Sequence, residues 1–123
     1  MKTFLAVAFT TVIALGTPAA SAEDAKPATV AALHQDKAEL GGQLVRVEGK
    51  VVKVNNGIMG RNFVHVQDGT GGPDSNNLIV TSKQTAAVGD RVVATGRVVL
   101  NRDFGSGYLY PLLLEDTELQ PAN

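Results

Sequence analysis

The amino-acid sequence predicts an all-β domain, a five-stranded Greek-key barrel preceded by one short helix. Five segments rich in β-branched and other apolar residues follow one another at short intervals, separated by turns rich in glycine, asparagine and aspartate. Two of these segments, 42–55 and 89–101, are long and share one pattern, because aligning Gly49 with Gly96 also superimposes their valines. Long strands that bend at a glycine form the corners of small barrels. Short strands with glycine corners indicate a sandwich or a barrel, and the number five favours the small barrel. The shared pattern has too short a spacing and too few copies for a solenoid.

The first 22 residues have the pattern of a secretory signal peptide. Lys2 gives a positive start, residues 4–16 form an apolar segment, and Ala20-Ser21-Ala22 has the small-residue pattern that precedes cleavage. The apolar segment is shorter than the roughly 20 residues that span a bilayer. We therefore expect a protein secreted to the periplasm, with no membrane attachment after cleavage.

Composition limits the chemistry of the mature chain. Removal of 22 of the 123 residues leaves 101, and without Lys2 ten basic residues face twelve acidic ones, a net charge of −2. This balance is not typical of a protein that binds polyanions. The chain has no cysteine, so stability must come from a hydrophobic core, and thiol catalysis and cysteine-based metal or haem attachment are excluded.

The mature chain has the length of one ordinary small domain. We divide the sequence into a signal peptide, a leader with a short helix, a barrel and a tail, at 1–22, 23–39, 40–119 and 120–123.

A short amphipathic helix is predicted before the barrel. Thr29 is a suitable N-cap, Val30 and Leu33 have helical spacing, and two glycines at 41–42 provide a stop signal. The polar residues 23–28 are predicted to form a flexible leader.

The valines of the first long strand change from odd-numbered to even-numbered positions. In a regular strand, Val45 and Val47 would lie on one face and Val52 and Val54 on the other. A glycine between such groups indicates a bulge, since an inserted residue turns the inward face over by one position. We therefore predict the change of phase at Gly49.

The segment 57–72 is the centre of the predicted organisation, a short strand between two glycine turns. Alternation places Val64 and Val66 on one face and Phe63 and His65 on the other, because successive strand residues point to opposite sides of a sheet. We predict that the valines face the core and that the other face is available for contact.

Catalysis and metal binding have little support in the sequence. Serine, histidine and aspartate occur without a nucleophile elbow, and the aspartates lie in turn-like sequence, where they commonly form turns. His34 and His65 belong to no metal-ligand motif, which leaves a soft-metal contact of Met59 with His65 as the remaining alternative. We therefore predict a protein that is not an enzyme and has no metal or cofactor.

Four motifs stand out within residues 40–119: G-R-N-F-V-H-V-Q-D-G-T-G, L-I-V-T, V-G-D-R-V-V-A-T-G-R-V and D-F-G-S-G-Y-L-Y. Together with the order of the five strands, they give about residues 40–119 a resemblance to a family of exported bacterial OB-fold proteins of the nucleic-acid-binding type. It implies a five-stranded barrel whose second and third strands, with the loops after the first and fourth strands, form the contact surface.

The implied loops are 56–60 and 101–107. The predicted contact residues are Met59, Arg61, Asn62, Phe63, His65, Arg102, Phe104 and Tyr108.

Roles follow from side-chain chemistry. The two arginines would engage an anionic or carbonyl group, and the two phenylalanines would stack on a flat ligand. Three alternatives stay open: the aromatic rings pack within the protein, Asn62 closes a loop by hydrogen bonding, and His65 hydrogen-bonds a neighbouring strand or loop.

The sequence supports two functional hypotheses. The first is a non-enzymatic periplasmic binding module, monomeric, for an anionic or aromatic ligand, with an oligonucleotide suggested by fold analogy although the net charge is negative. The second is an accessory or chaperone protein that binds a protein partner in periplasmic redox, cytochrome-maturation or stress systems. The exported OB-fold haem chaperone uses a late H-x-x-x-Y motif, and no histidine follows His65 here.

Overall fold

Five strands close into a ring in the computed structural model, which describes residues 24–122. The predicted signal peptide lies outside the described residues. The elements in chain order are β1 (Lys26–Pro27), α1 (Val30–Gln35), α2 (Lys37–Leu40), β2 (Leu44–Ile58), β3 (Arg61–Gln67), β4 (Leu78–Ser82), β5 (Arg91–Asp103) and β6 (Leu109–Pro121).

The strands have the order β1-β2-β3-β4-β6-β5, and β5 pairs back with β2 to close the barrel. The β4–β6 pairing is parallel, and the other pairings within the ring are antiparallel. This arrangement of β2 to β6 is the five-stranded OB-fold barrel, so the predicted fold class is confirmed. The predicted helical segment is present before the barrel and is divided at Asp36 into α1 and α2.

The barrel interior is filled by aliphatic side chains that alternate along the strands. Val64 and Val66 of β3 are fully buried in this core, as the alternation predicts. Val30 and Leu33 of α1 belong to the same cluster, so α1 covers part of the barrel. In residues 24–122, neither α1 nor α2 has the length and apolar character that a membrane-spanning helix needs.

The predicted change of phase at Gly49 is wrong. Val47 and Val51 are both buried, and Gly49 between them lies on the same face. The register with β3 shifts instead between Val51 and Lys53, which leaves Val52 exposed. The bulge is therefore at the residue after Val51, and Gly49 has a different role.

Gly49 lies in β2 immediately before its pairing with β3 begins, where the two strands come close together. A Cβ atom at this position would be 2.6 Å from Val66 Cγ1 and 2.7 Å from the Gln67 carbonyl oxygen. The next residue, Lys50, pairs with both Arg91 of β5 and Gln67 of β3. Gly49 is thus required because two strands approach β2 at the point where it changes partner.

Gly96 has a similar role in β5. A Cβ atom there would collide with the Thr117 hydroxyl and lie 3.0 Å from the Glu115 carbonyl oxygen. The β5–β6 register shifts between Thr95 and Arg97, where two residues of β6, Asp116 and Thr117, lie opposite the single residue Gly96. Both glycines therefore make space for an adjacent strand.

The barrel closes between β4 and β6 with help from side chains. The backbone pair is Val80 with Leu114. Beyond it, the Thr81 hydroxyl donates to the Leu114 carbonyl at 3.3 Å, and the Ser82 hydroxyl donates to the Thr117 carbonyl. These two side-chain bonds add to the backbone pair that joins β4 and β6.

The D-G-T-G turn after β3 fixes the start of α1. The Asp68 carboxylate accepts from the Val30 N–H at 2.9 Å, and the Thr70 hydroxyl accepts from the Ala31 N–H at 2.9 Å. Thr29 acts as the predicted N-cap, because its hydroxyl accepts from the Ala32 N–H at 3.0 Å. These bonds satisfy N–H groups that a helix start leaves without partners.

The prediction of a flexible leader is wrong for its described part, residues 24–28. Lys26 and Pro27 pair in parallel with Val45 and Arg46, and the Ala28 N–H donates to the Arg46 carbonyl at 3.0 Å. The reason is that β3 pairs with β2 only from Lys50 onward, so the first half of β2 has a free edge that β1 occupies.

We predict that Gly49→Ala lowers the free energy of unfolding by about 1–3 kcal/mol, because the added methyl group would overlap with Val66 and the Gln67 carbonyl of β3. Gly72→Ala is the matched control, since a Cβ atom there meets nothing within 4 Å. It should change stability by less than about 0.5 kcal/mol. Urea unfolding followed by circular dichroism measures both. Equal effects of the two substitutions would contradict the close-approach explanation.

Ionisation of Asp68 should make stability depend on acid pH. Burial alone would raise the pKa of Asp68, but hydrogen bonds from the Thr70 hydroxyl and the Val30 and Thr70 N–H groups outweigh it and hold the pKa below 3.8. A lowered folded-state pKa stabilises the fold above pH 3.8, and this contribution is lost as pH falls through the folded-state value.

We therefore expect Asp68→Asn to cost about 0.5–1 kcal/mol at neutral pH, and this deficit should shrink toward pH 3. Asp74→Asn, an exposed position in the same loop, is the control. Unfolding curves measured between pH 3 and pH 7 test this, and a deficit that does not change with pH would refute it.

Candidate functional site

Two loops and the ends of three strands meet around a group of three aromatic rings. Phe63 of β3 lies with its ring centroid 5.6 Å from Phe104, in the β5–β6 loop, and 5.6 Å from Tyr110 of β6. Phe104 and Tyr110 are 5.7 Å apart and meet edge to face. Separations and angles of this kind are favourable for aromatic pairs.

Two arginines cover this group. The guanidinium carbons of Arg61 and Arg102 lie 5.0 and 4.8 Å from the Phe104 ring centroid, within cation–π distance. Arg61 Nη2 lies 3.6 Å from Glu115 Oε1, and Arg102 Nε lies 3.3 Å from Glu115 Oε2. We call the six residues the arginine–aromatic cluster: Arg61, Phe63, Arg102, Phe104, Tyr110 and Glu115.

Strand pairing brings these residues together. Arg102 and Tyr110 are direct cross-strand partners at the end of the β5–β6 hairpin. Arg61 begins β3 and pairs with Ile58 across the β2–β3 turn, and Phe63 follows on the outer face, opposite to the core valines. Four of the six cluster residues therefore lie on the loop and strand that the sequence assigns to the contact surface, and β6 adds Tyr110 and Glu115.

The β5–β6 loop has a fixed shape that directs Phe104 onto the cluster. The Phe104 N–H donates to the Tyr108 carbonyl at 2.8 Å, and the Tyr108 N–H donates to the Gly105 carbonyl at 3.0 Å. The Asp103 carboxylate accepts from the Gly105 N–H at 2.7 Å. Gly105 and Gly107 have positive φ angles, which glycine adopts without strain.

The structure places four predicted contact residues, Arg61, Phe63, Arg102 and Phe104, in the cluster. Phe63 is only 3% exposed, because Phe104 and Tyr110 pack on it. In this conformation its ring contacts other protein rings and offers no open face to a ligand.

Met59 and Tyr108 lie at the margin of the cluster. Tyr108 is 50% exposed, and Met59 is also exposed. Ile58 and Leu109, their neighbours in sequence, are exposed large apolar residues as well. We call these four residues the apolar rim.

Asn62 closes the β2–β3 loop, which is the alternative role considered for it. Its side-chain carbonyl accepts from the Gly57 N–H at 2.9 Å, and its amide nitrogen donates to the Gln84 carbonyl at 3.0 Å. Asn62 therefore fixes the loop that carries Met59 and connects it to the segment after β4.

His65 is hydrogen-bonded to a neighbouring loop and does not join the cluster. Its Nδ1 lies 3.1 Å from the Asn77 amide nitrogen, so the neutral ring accepts this bond. Burial, with a smaller contribution from the positive charge of Lys53, lowers the pKa of His65 below 6.5. His34 contacts the same residue, because its Nε2 lies 2.7 Å from the Asn77 carbonyl oxygen.

The part of the chain from residue 24 to 122 contains no group of three histidine, cysteine, aspartate or glutamate residues placed to hold a metal ion.

Glu115 belongs to the site but is not among the residues predicted from the sequence. The signal is visible in retrospect, because Glu115 follows Leu112, Leu113 and Leu114 directly in an otherwise apolar part of β6. A carboxylate in such a segment usually has a cationic partner. Tyr110 was not among the predicted contact residues either, and its two ring contacts show that it packs within the protein.

Comparison with known proteins shows the fold. No family model and no curated protein matches the chain. A solved structure described as an aspartyl-tRNA synthetase from Leishmania major Friedlin matches 89% of this chain with a TM-score of 0.54 and 12% sequence identity. The match covers 23% of that protein, so this chain spans about a quarter of its length. The similarity is to an OB-type barrel and is one of fold alone.

Phe104 should be the energetic centre of the cluster. We predict that Phe104→Leu lowers the free energy of unfolding by about 1–2 kcal/mol, because it removes two ring contacts and the surface beneath both arginines. Tyr108→Leu changes a half-exposed aromatic residue in the same loop and should cost less than about 0.5 kcal/mol. Thermal unfolding compares the two variants. A larger cost for Tyr108→Leu would contradict the assignment.

Proposed function

We propose that this protein is a non-enzymatic periplasmic binding module that contacts its partner through the arginine–aromatic cluster and the apolar rim. The signal-peptide pattern of residues 1–22 supports the location. One observation carries the proposal. At the end of the barrel formed by the β2–β3 and β5–β6 loops, two partly exposed arginines contact the Phe104 ring, and exposed apolar side chains lie at the same end.

The charge of the cluster favours an anionic group on the partner. Arg61 and Arg102 contribute two positive charges and Glu115 one negative charge. Each guanidinium has five N–H donors, and each arginine makes one of the ion-pair contacts with Glu115. Further donors on each arginine are thus available to a carboxylate or phosphate.

The apolar rim favours a protein as the partner. Ile58, Met59, Tyr108 and Leu109 are exposed apolar residues in or beside the two hairpin loops that Arg61 and Arg102 flank. Aromatic residues, methionine and arginine are enriched at protein interfaces. A partner segment with both acidic and apolar side chains would match this surface. An accessory role in a periplasmic assembly or stress system would use such a contact.

An oligonucleotide is the second candidate, favoured by the likeness to an OB-fold structure and by the two arginines. Binding of single strands uses aromatic faces on which bases stack. Among the described residues of this surface, Phe63 is covered and Tyr108 is the ring with half of its surface exposed. The geometry therefore supports the protein partner better.

The test compares two arginines on one strand. Arg102 and Arg91 lie at opposite ends of β5, and each pairs with a glutamate, at 3.3 and 3.6 Å. An eight-residue capped peptide of alternating glutamate and leucine and a twelve-nucleotide oligothymidylate serve as probes in fluorescence anisotropy. We expect Arg102→Ala to weaken peptide binding about tenfold, and Arg91→Ala to weaken it less than about twofold.

Equal losses in the two variants would show that binding depends on net charge and not on this surface. If the wild type binds neither probe, the proposed function is wrong. Oligothymidylate binding that exceeds peptide binding and weakens steeply with added salt would favour the second candidate.

A further inference from the structure

We infer that Glu115 is a positioning residue that makes Arg61 and Arg102 a two-guanidinium receptor for a carboxylate of the partner. This inference rests on the proposed function, since it specifies how the same surface recognises its ligand.

The ion-pair geometry assigns one carboxylate oxygen to each arginine. Oε1 of Glu115 faces Arg61 Nη2 at 3.6 Å, and Oε2 faces Arg102 Nε at 3.3 Å. The Glu115 side chain is 13% exposed, whereas those of Arg61 and Arg102 are 30% and 43% exposed. The carboxylate therefore lies beneath two guanidinium groups that remain accessible.

The Phe104 ring supplies the second constraint. It lies within 5.0 Å of both guanidinium carbons, so each arginine is held by a ring and by a carboxylate oxygen. Two free arginine side chains would lose considerable rotamer freedom on binding a ligand. Here much of that ordering is already present in the free protein.

A carboxylate is the ligand group that fits this pair best. Guanidinium groups are planar and bind carboxylates through parallel N–H donors, whereas a lysine ammonium acts as a point charge. Because the apolar rim favours a protein partner, the carboxylate would belong to an aspartate or glutamate side chain of that protein. Recognition should therefore depend on guanidinium geometry as well as on positive charge.

The substitution Glu115→Gln distinguishes a positioning role of Glu115 from simple charge attraction between the cluster and an anion. The substitution increases the positive charge of the cluster by one, so attraction alone predicts tighter binding of an anion. Loss of the shared carboxylate also releases both arginines, so the positioning role predicts weaker binding. The two explanations give effects of opposite sign.

The experiment uses the glutamate–leucine peptide and the full mature protein. We expect Glu115→Gln to weaken peptide binding about fivefold and Arg102→Lys to weaken it about tenfold, although the second variant keeps the charge. Glu48→Gln is the control, because Glu48 and its partner Arg91 are each 56% exposed, and it should leave binding within about twofold.

Two further measurements distinguish positioning from a general loss of structure. Amide ¹H–¹⁵N spectra should show an intact barrel in each variant. Relaxation of the arginine Nε–Hε groups should show that Arg102 becomes more mobile in Glu115→Gln. Arg102→Lys leaves Glu115 in place and tests the guanidinium requirement even if Glu115→Gln fails to fold.

Tighter peptide binding by Glu115→Gln would identify Glu115 as a competitor of the ligand and overturn the inference. Undiminished binding by Arg102→Lys would overturn it as well, because charge alone would then suffice. Stronger binding of oligothymidylate than of peptide would reject the carboxylate assignment while leaving the binding surface in place. Failure of the wild type to bind either probe would reject the surface and the inference together.

Discussion

Close approach of backbones at Gly49 is the constraint on which the barrel depends. At the next residue, Lys50, β2 ends its pairing with β5 and begins its pairing with β3, and a Cβ atom on Gly49 would lie 2.6 Å from Val66 Cγ1. Side chains in protein interiors are too closely packed to absorb such an overlap without a shift of the backbone. Because Gly49 has no side chain, β2 can pair with both β5 and β3, and the ring can close.

The candidate site is a consequence of this closure. Pairing of β2 with β3 places Phe63 near the end of the barrel, and pairing of β5 with β6 places Arg102 beside Tyr110. Two arginines at this end would repel each other if they stood alone. The Glu115 carboxylate between them and the π face of Phe104 offset that repulsion. The same contacts that stabilise the loop end therefore also orient the donors that a partner would meet.

The D-G-T-G turn, which is part of one motif of the sequence resemblance, has a structural role. Asp68 and Thr70 of the D-G-T-G turn accept hydrogen bonds from the first turn of α1, and the lowered pKa of Asp68 reflects those bonds. This attachment keeps Val30 and Leu33 in the core. A short helix gains most of its stability from such tertiary contacts and little from its own propensity, so the turn and the helix depend on each other.

The sequence by itself determined the strands, the inward valines of β3 and the glycine turns between strands, because alternation and glycine turns act over a few residues. It could not determine that Phe63 is covered, that Glu115 joins two arginines, or that Lys26 and Pro27 pair with β2. Those features were decided by tertiary structure alone. Each depends on residues distant in the chain that become neighbours only when the ring closes, and no local pattern records which of them will meet.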